Sequence, residues 1–290
     1  MLVLKLNTAT TDTSLPILRP DTLLDGDNDG VRFLFDLGST AGWPGGAPAN
    51  GAAITDIAGH ANGSFQLTSG QSVPYAGGGF DFTGLTADAC DIVIPASAAA
   101  SIYGNGSDNQ YFLACLYVKL PSLSDWNQTA TIAPFIQFNA NVNGYTQGPD
   151  LITVSQGFSS PNRTLNFRRQ TNGSSTVDQL SLTVPAGDHS QVAQIAFWRD
   201  GIEQRGRLKT ALNTTLTTVG AVGSNNSGNF ASSAGHVGVG TGFWAFPNHA
   251  NANNWRLYRG WIENLRLSGR NSVAVLDADW SRVVARNAFS

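Results

Sequence analysis

The sequence predicts an all-β protein, an antiparallel β-sandwich of the jelly-roll type, on three observations. Apolar stretches of 4 to 9 residues recur along the chain, separated by clusters of Gly, Asn, Pro and Ser. Several of them alternate, as at Leu180, Leu182 and Val184, which turns one face inward and the other outward. Among 290 residues only Glu203 and Glu263 are glutamates and only Lys5, Lys119 and Lys209 are lysines, while glycines number 32. Such a chain is composed for strands and turns rather than for helices.

Residues 1–24 read first, as an arm, because Pro16 and Pro20 interrupt any regular element there. The arm's "LVLKL" run is suited to add as a strand to the edge of a neighbour's sheet. The start lacks the apolar core and cleavage site of a secretory signal, so folding in a cytoplasm is expected. No apolar run reaches the ~20 residues that a bilayer span needs.

Residues 25–290 are expected to form one domain, with no repeat and no linker between halves. Its strand candidates run in order from "VRFLFDL" (31–37) through "CDIVIP", "YFLACLYVKL", "APFIQFNANV", "DLITVS", "QLSLTV", "VAQIAFW" and "HVGVG" to "LYRGWIENLRL" (257–267). No helical pattern intervenes, which favours antiparallel pairing over a parallel α/β sheet. One short C-terminal helix is expected in "DADWSRVVARNAF", with Asp277 or Asp279 as cap and Trp280, Val283 and Val284 on one face. Cys90 and Cys115 show neither metal-site nor redox spacing, and a buried free thiol is expected at Cys115.

Four stretches in order resemble the laminin-G-like, or concanavalin A-like, lectin/glucanase sandwich. "ITDIAGHANGSFQL" resembles that family's "D-x-S-G-N-x-G" turn through Asp56, Gly59 and Gly63. "GGGFDFTGLTADACDIVIP" is similar to its "F-x-G … Y-V-x-I-P" element through Phe82, Gly84, Val93 and Pro95. "SQVAQIAFWRDGIEQRGRLKTALN" keeps the Asp200-Gly201 hairpin turn but degrades the second glycine element. "HVGVG" and "LYRGWIENLRLSGR" match the last two strands, the latter through Gly260, Ile262, Glu263, Leu265, Arg266 and Leu267. The resemblance spans roughly residues 31 to 270 and implies the sandwich, not a function, because this fold serves lectins, hydrolases and structural modules. The arm together with a Gly/Asn/Thr-rich sandwich also resembles tail-associated proteins of bacteriophages. That resemblance implies synthesis in the host cytoplasm, work on the virion, other tail proteins as partners and a homo-oligomer in the assembly.

Candidate sites divide by chemistry. "DGDNDGVRFLFD" (25–36) places Asp25, Asp27 and Asp29 at the spacing of a calcium loop. Asp36 stands where a bidentate glutamate is usual, and the flanking helices are missing. A solvated Asp/Asn/Gly turn uses the same residues, so calcium is retained only as a rim site on those three aspartates. Glycoside hydrolysis needs paired carboxyls, and no alternating acid triplet occurs; four histidines occur without a G-x-S-x-G turn. The chain therefore reads as a non-enzyme.

Sugar or partner binding has better candidates. In "GTGFWAFPNHANANNWRLY", Trp244, Phe246 and Trp255 flank Asn248, Asn251 and Asn254. Aromatic faces stack on sugar rings and amides bond hydroxyls, although a long loop also buries its own aromatics. "STAGWPGGAPANGAAI" presents Trp43 in the same way. With net charge -3, the arginines of "NRTLNFRRQ" and "RDGIEQRGRLK" read as solvated hairpin edges rather than a nucleic-acid surface. The favoured expectation is a non-catalytic tail, baseplate or fibre protein that works by protein contacts and host-surface glycan. A stand-alone lectin is the alternative and a glycoside hydrolase a distant third.

Overall fold

The computed structural model describes residues 20–27, 29–85, 90–104, 108–128, 133–139, 150–171, 177–212, 215–226, 230, 233–239, 253–285 and 289. A 3-10 turn, Thr22–Leu24, leads into β1 (Val31–Asp36), β2 (Ala53–Ile54), β3 (Gly63–Leu67), β4 (Tyr75–Ala76), β5 (Gly79–Asp81) and β6 (Cys90–Ile94). Then come α1 (Ala96–Tyr103), β7 (Phe112–Lys119), β8 (Ala133–Asn139), β9 (Asp150–Ser159), β10 (Asn162–Gln170) and β11 (Val177–Thr183). The chain continues with β12 (Val192–Arg199), β13 (Gln204–Thr210), β14 (Thr215–Gly220), β15 (Gly235–Val239) and β16 (Arg256–Asn264). It closes with α2 (Leu265–Ser268) and α3 (Ser272–Ala285).

These strands make the expected sandwich of two antiparallel sheets. The first runs β14-β13-β12-β7-β16-β5-β4 with β1 also on β16, and the second runs β11-β10-β9-β8-β15-β6-β3-β2. The motif residues do backbone work. The Asp56 carboxylate accepts the N–H groups of Leu34, Ala58 and His60. Gly63 has no room for a side chain, since a Cβ there would come within 2.8 Å of the Phe33 ring and the Val93 carbonyl. Asp200 Oδ1 accepts from Ile202 and Glu203 and closes the β12–β13 hairpin.

Alternation explains the long apolar run of β7. Phe112, Ala114, Leu116 and Val118 enter the core between the sheets. Leu113, Cys115 and Tyr117 face the other way, into a second core under α3 with Trp198, Trp261, Leu276, Trp280 and Val283. A sheet buried on both faces has no polar parity left to show. Cys90 and Cys115 are both buried and free.

The second core is tied by a buried ion cluster. Arg259 Nη1 donates to Asp21 Oδ2 (2.8 Å) and Asp36 Oδ2 (3.0 Å), and its Nη2 to Asp279 Oδ1 (3.0 Å). Arg282 reaches Asp21 and Asp279 from α3, and Tyr117 donates its hydroxyl to Asp279.

Several expectations are corrected here. The expected arm, residues 1–24, is too long by its last residues: Asp21, Leu23 and Leu24 are buried parts of the body, while residues 1–19 lie outside the described residues. The C-terminal helix starts at Ser272, not at Asp277 or Asp279. Asn271 Oδ1 accepts the Ala274 N–H ahead of it, and both aspartates spend their carboxylates on arginines instead. Val284 is exposed rather than packed. The closing strand stops at Asn264, whose side chain accepts from Arg266 and Leu267 and turns the chain into α2. The helix α1 was not expected; it follows Pro95 in an alanine-rich stretch of high helix propensity. Arg168, Arg169, Arg199 and Arg207 are buried, not solvated edges. Arg169 pairs with Asp178, and Arg199 donates to the Val222 and Gly223 carbonyls.

Candidate functional site

Strand register decides which loops share an end of the sandwich. Asp36, the end of β1, pairs with Arg259 near the start of β16. Lys119, the end of β7, pairs with Val192 and Arg256, and Val239, the end of β15, pairs with Cys90. The two sheets are linked at this end, since Trp255 packs on Phe135 and Trp126 Nε1 donates to the Gly157 carbonyl. The described ends of both stretches nominated from the sequence, residues 39–54 and Val239 with 253–258, therefore lie at one rim. Trp43 meets Phe80 of β5 there, and Trp255 meets Phe82 just beyond it.

At this rim lies a 190 Å³ pocket, and Asn254 and Trp255 line it with Asp81, Lys119, Asp125 and Arg256. Arg256 Nη2 donates to Asp81 Oδ2 at 2.8 Å, and Ser122 Oγ donates to Asp125 Oδ2 at 2.7 Å. Burial raises the Asp81 carboxyl, but hydrogen bonds from Thr83 and Arg256 outweigh it and hold it below the ordinary value. Asn254 Oδ1 accepts from the Gly84 N–H. Trp255 Nε1 is buried without a hydrogen-bond partner. Closely spaced donors and acceptors beside an aromatic are the equipment for a polar, hydroxyl-bearing ligand.

The structure sorts the nominated residues. Trp43 and Trp255 do not offer ring faces to a sugar: they are 6% and 2% exposed. Trp43 stands edge-on to Phe80 with Nε1 on the Gly46 carbonyl, and Trp255 is packed between Phe82 and Phe135. Asn254 does reach the pocket. Trp244, Phe246, Asn248 and Asn251 lie outside the described residues.

The three aspartates nominated for calcium are engaged separately. Asp27 Oδ1 accepts the N–H groups of Gly30 and Val31. Asp29 pairs with Arg32 and lies 3.3 Å from His60, while Asp25 is exposed. Asp36, the twelfth position, belongs to the Arg259 cluster. Among the described residues no group of three or more His, Cys, Asp or Glu side chains is placed to hold a metal ion.

The sequence reading missed Asp81, Lys119, Asp125 and Arg256. Asp81 sits inside "GGGFDFTG", where only the structural glycines and phenylalanines signal. Its pairing with Arg256 spans 175 positions and comes from the β5–β16 register.

No family model and no curated protein matches the chain. Among solved structures it is similar to the Trypanosoma rangeli sialidase in complex with sialic acid, at 11% identity and TM-score 0.49 over 93% of this chain. The chain spans about a third of that sialidase, 34% of its length. It is similar to the CBM2 module of the evolved Dit of Lactobacillus casei BL23 phage J-1, at 14% identity and TM-score 0.42, over 81% of this chain and 95% of that module. A third is tailspike protein 2 of the Escherichia coli O157:H7 bacteriophage CAB120, at 10% identity and TM-score 0.38, over 75% of this chain and 25% of the tailspike. Likenesses at this level carry neither ligand nor activity to this chain.

Proposed function

We propose that the protein is a non-catalytic subunit of a bacteriophage tail, baseplate or fibre. It joins its assembly through the arm and presents the loop rim to host-surface glycan. The observation that carries this reading is the rim pocket of hydrogen-bonding side chains, which Asn254 and Trp255 of one nominated stretch line. The body behind the arm is well suited to bear it, because Asp21 is held by Arg259 and Arg282. The virion setting itself rests on the sequence resemblance to tail-associated proteins.

The chemistry at the rim favours holding over cutting. A glycosidic acid needs a raised pKa beside a second, free carboxylate. Here Asp81 is held low by Arg256, and Asp125 accepts from Ser122. The carboxyls that burial does raise, Asp27 and Asp56, are tied to backbone amides in turns at the other end of β1.

The rim reading is tested by titrating the full chain with host-surface polysaccharide. Each lost hydrogen bond to a charged partner is worth roughly tenfold in affinity, so Lys119→Ala with Asp125→Asn is expected to weaken binding at least that much. Equal binding by wild type and double variant would contradict the rim contact, and release of reducing ends would revive the hydrolase.

A further inference from the structure

One charge in the rim pocket is left unmatched. Strand register sets three charged residues in a row across β5, β16 and β7: Asp81 is opposite Arg256, and Arg256 is opposite Lys119. Their strand neighbours Phe80, Leu257 and Val118 enter the sandwich core, so alternation turns all three to the outer face of the sheet. Two cations thus stand directly across from each other, a pairing that destabilises a sheet.

Asp81 answers only one of them. Its Oδ2 accepts from Arg256 Nε at 3.3 Å and Nη2 at 2.8 Å, and its Oδ1 accepts the Thr83 N–H at 3.0 Å. Lys119 is half-buried in the same pocket, and among the described residues its ammonium has no hydrogen bond and no ion pair. The pocket's other carboxylate, Asp125, accepts from Ser122 instead. The rest of the lining is neutral and polar. Asn254 spends its carbonyl oxygen on the Gly84 N–H, which leaves its amide group to donate. Ser190 holds φ +63°, a left-handed backbone that few residues other than glycine adopt, and its N–H is fixed on the Pro121 carbonyl at 3.1 Å. Backbone of this kind is concentrated where ligands are held.

We propose that the rim pocket binds an acidic sugar, a pyranose whose carboxylate is held by Lys119 while Asn254, Ser190 and Asp125 bond its hydroxyls. This rests on the rim reading above and names the class of glycan. A carboxylate brings one negative charge for the one ammonium that lacks a partner. A neutral sugar leaves Lys119 unmatched, and a phosphate, with its charge of about -1.5 to -2, brings more charge than Lys119 answers beside Asp81 and Asp125. Asp125 only accepts hydrogen bonds, so it takes a ring hydroxyl and not the acid group.

The test is ligand-observed NMR titration of the full chain with galacturonate and glucuronate, each beside galactose and glucose, which carry a hydroxymethyl group in place of the carboxylate. A hydrogen bond to a charged group is worth roughly tenfold in affinity, so at least one uronate is expected to bind about that much tighter than its neutral counterpart. Lys119→Gln should abolish the difference and Lys119→Arg should keep it. Added salt should weaken the uronate and spare the neutral sugar. Equal binding of each uronate and its counterpart overturns the acidic sugar but leaves the rim reading standing, because the pocket still takes sugar. Uronate binding that Lys119→Gln leaves unaltered overturns it too. Binding of neither uronate also overturns it, and the polysaccharide titration then decides the rim reading separately.

Discussion

Arg259 shows how much one side chain organises. Burial works against its charge, but Asp279, Asp21 and Asp36 raise its affinity for the proton and keep it a cation. Removing it takes the guanidinium from Asp36 and leaves Asp21 and Asp279 to Arg282 alone, and breaking such a buried pair from one side costs about 3–5 kcal/mol. Arg259→Met is therefore expected to lose stability of that order in urea titration; a change near zero would contradict the cluster's role. His189 acts in the opposite sense. Burial pushes its ring below the ordinary value; the Pro121 carbonyl opposes this in part, Arg163 adds to the lowering, and Asp188 opposes it least. The unfolded ring thus takes up a proton first as pH falls, so stability is complete above about pH 6.5 and is lost below it. Wild type should lose more melting temperature between about pH 7 and about pH 5 than His189→Gln, and equal losses would contradict this. At this scale the sequence was legible where a residue serves its own turn, as at Asp56 and Asp200. It was illegible where a distant element decides: strand parity could not show that Arg169 would meet Asp178 in the interior, or that Trp43 and Trp255 would be packed by phenylalanines.

Elements were read well by periodicity and poorly at their ends. The strands of the second sheet alternate because one face is apolar and the other polar, and that pattern marks them directly. Strand β7 was legible only as an apolar run, since α3 covers the face that would have been polar. The start of α3 was misplaced because Asp277 and Asp279 look like caps but are ligands of arginines; Asn271 holds the position instead. The arm boundary was misplaced for a similar reason, since nothing local marks Asp21 as a partner of Arg259. This gives a sharp expectation for truncations. Removing residues 1–19 should leave the melting temperature unchanged, whereas removing 1–24 takes away Asp21, Leu23 and Leu24 and should destabilise by several kcal/mol. Equal melting of the two truncations would contradict the placement of the turn in the body.

For the whole molecule, two cores share one sheet. The sandwich core fixes the rim, and the core under α3 fixes the point from which the arm leaves. Fold class was legible because alternation, turn residues and motif order all agree on it. The candidate site was legible only in part, through Asn254 and the shared rim. The charged lining arises from the β5–β16 and β7–β16 registers, which no local pattern carries. No described helix is long and apolar enough to cross a membrane. The central claim is that this is a tail subunit attached by its arm, and it is most directly tested by quantifying the protein in purified particles that carry the 1–19 truncation. The account predicts a folded truncation with wild-type melting that is missing from the particles. Particles that contain it at the wild-type level would contradict the account.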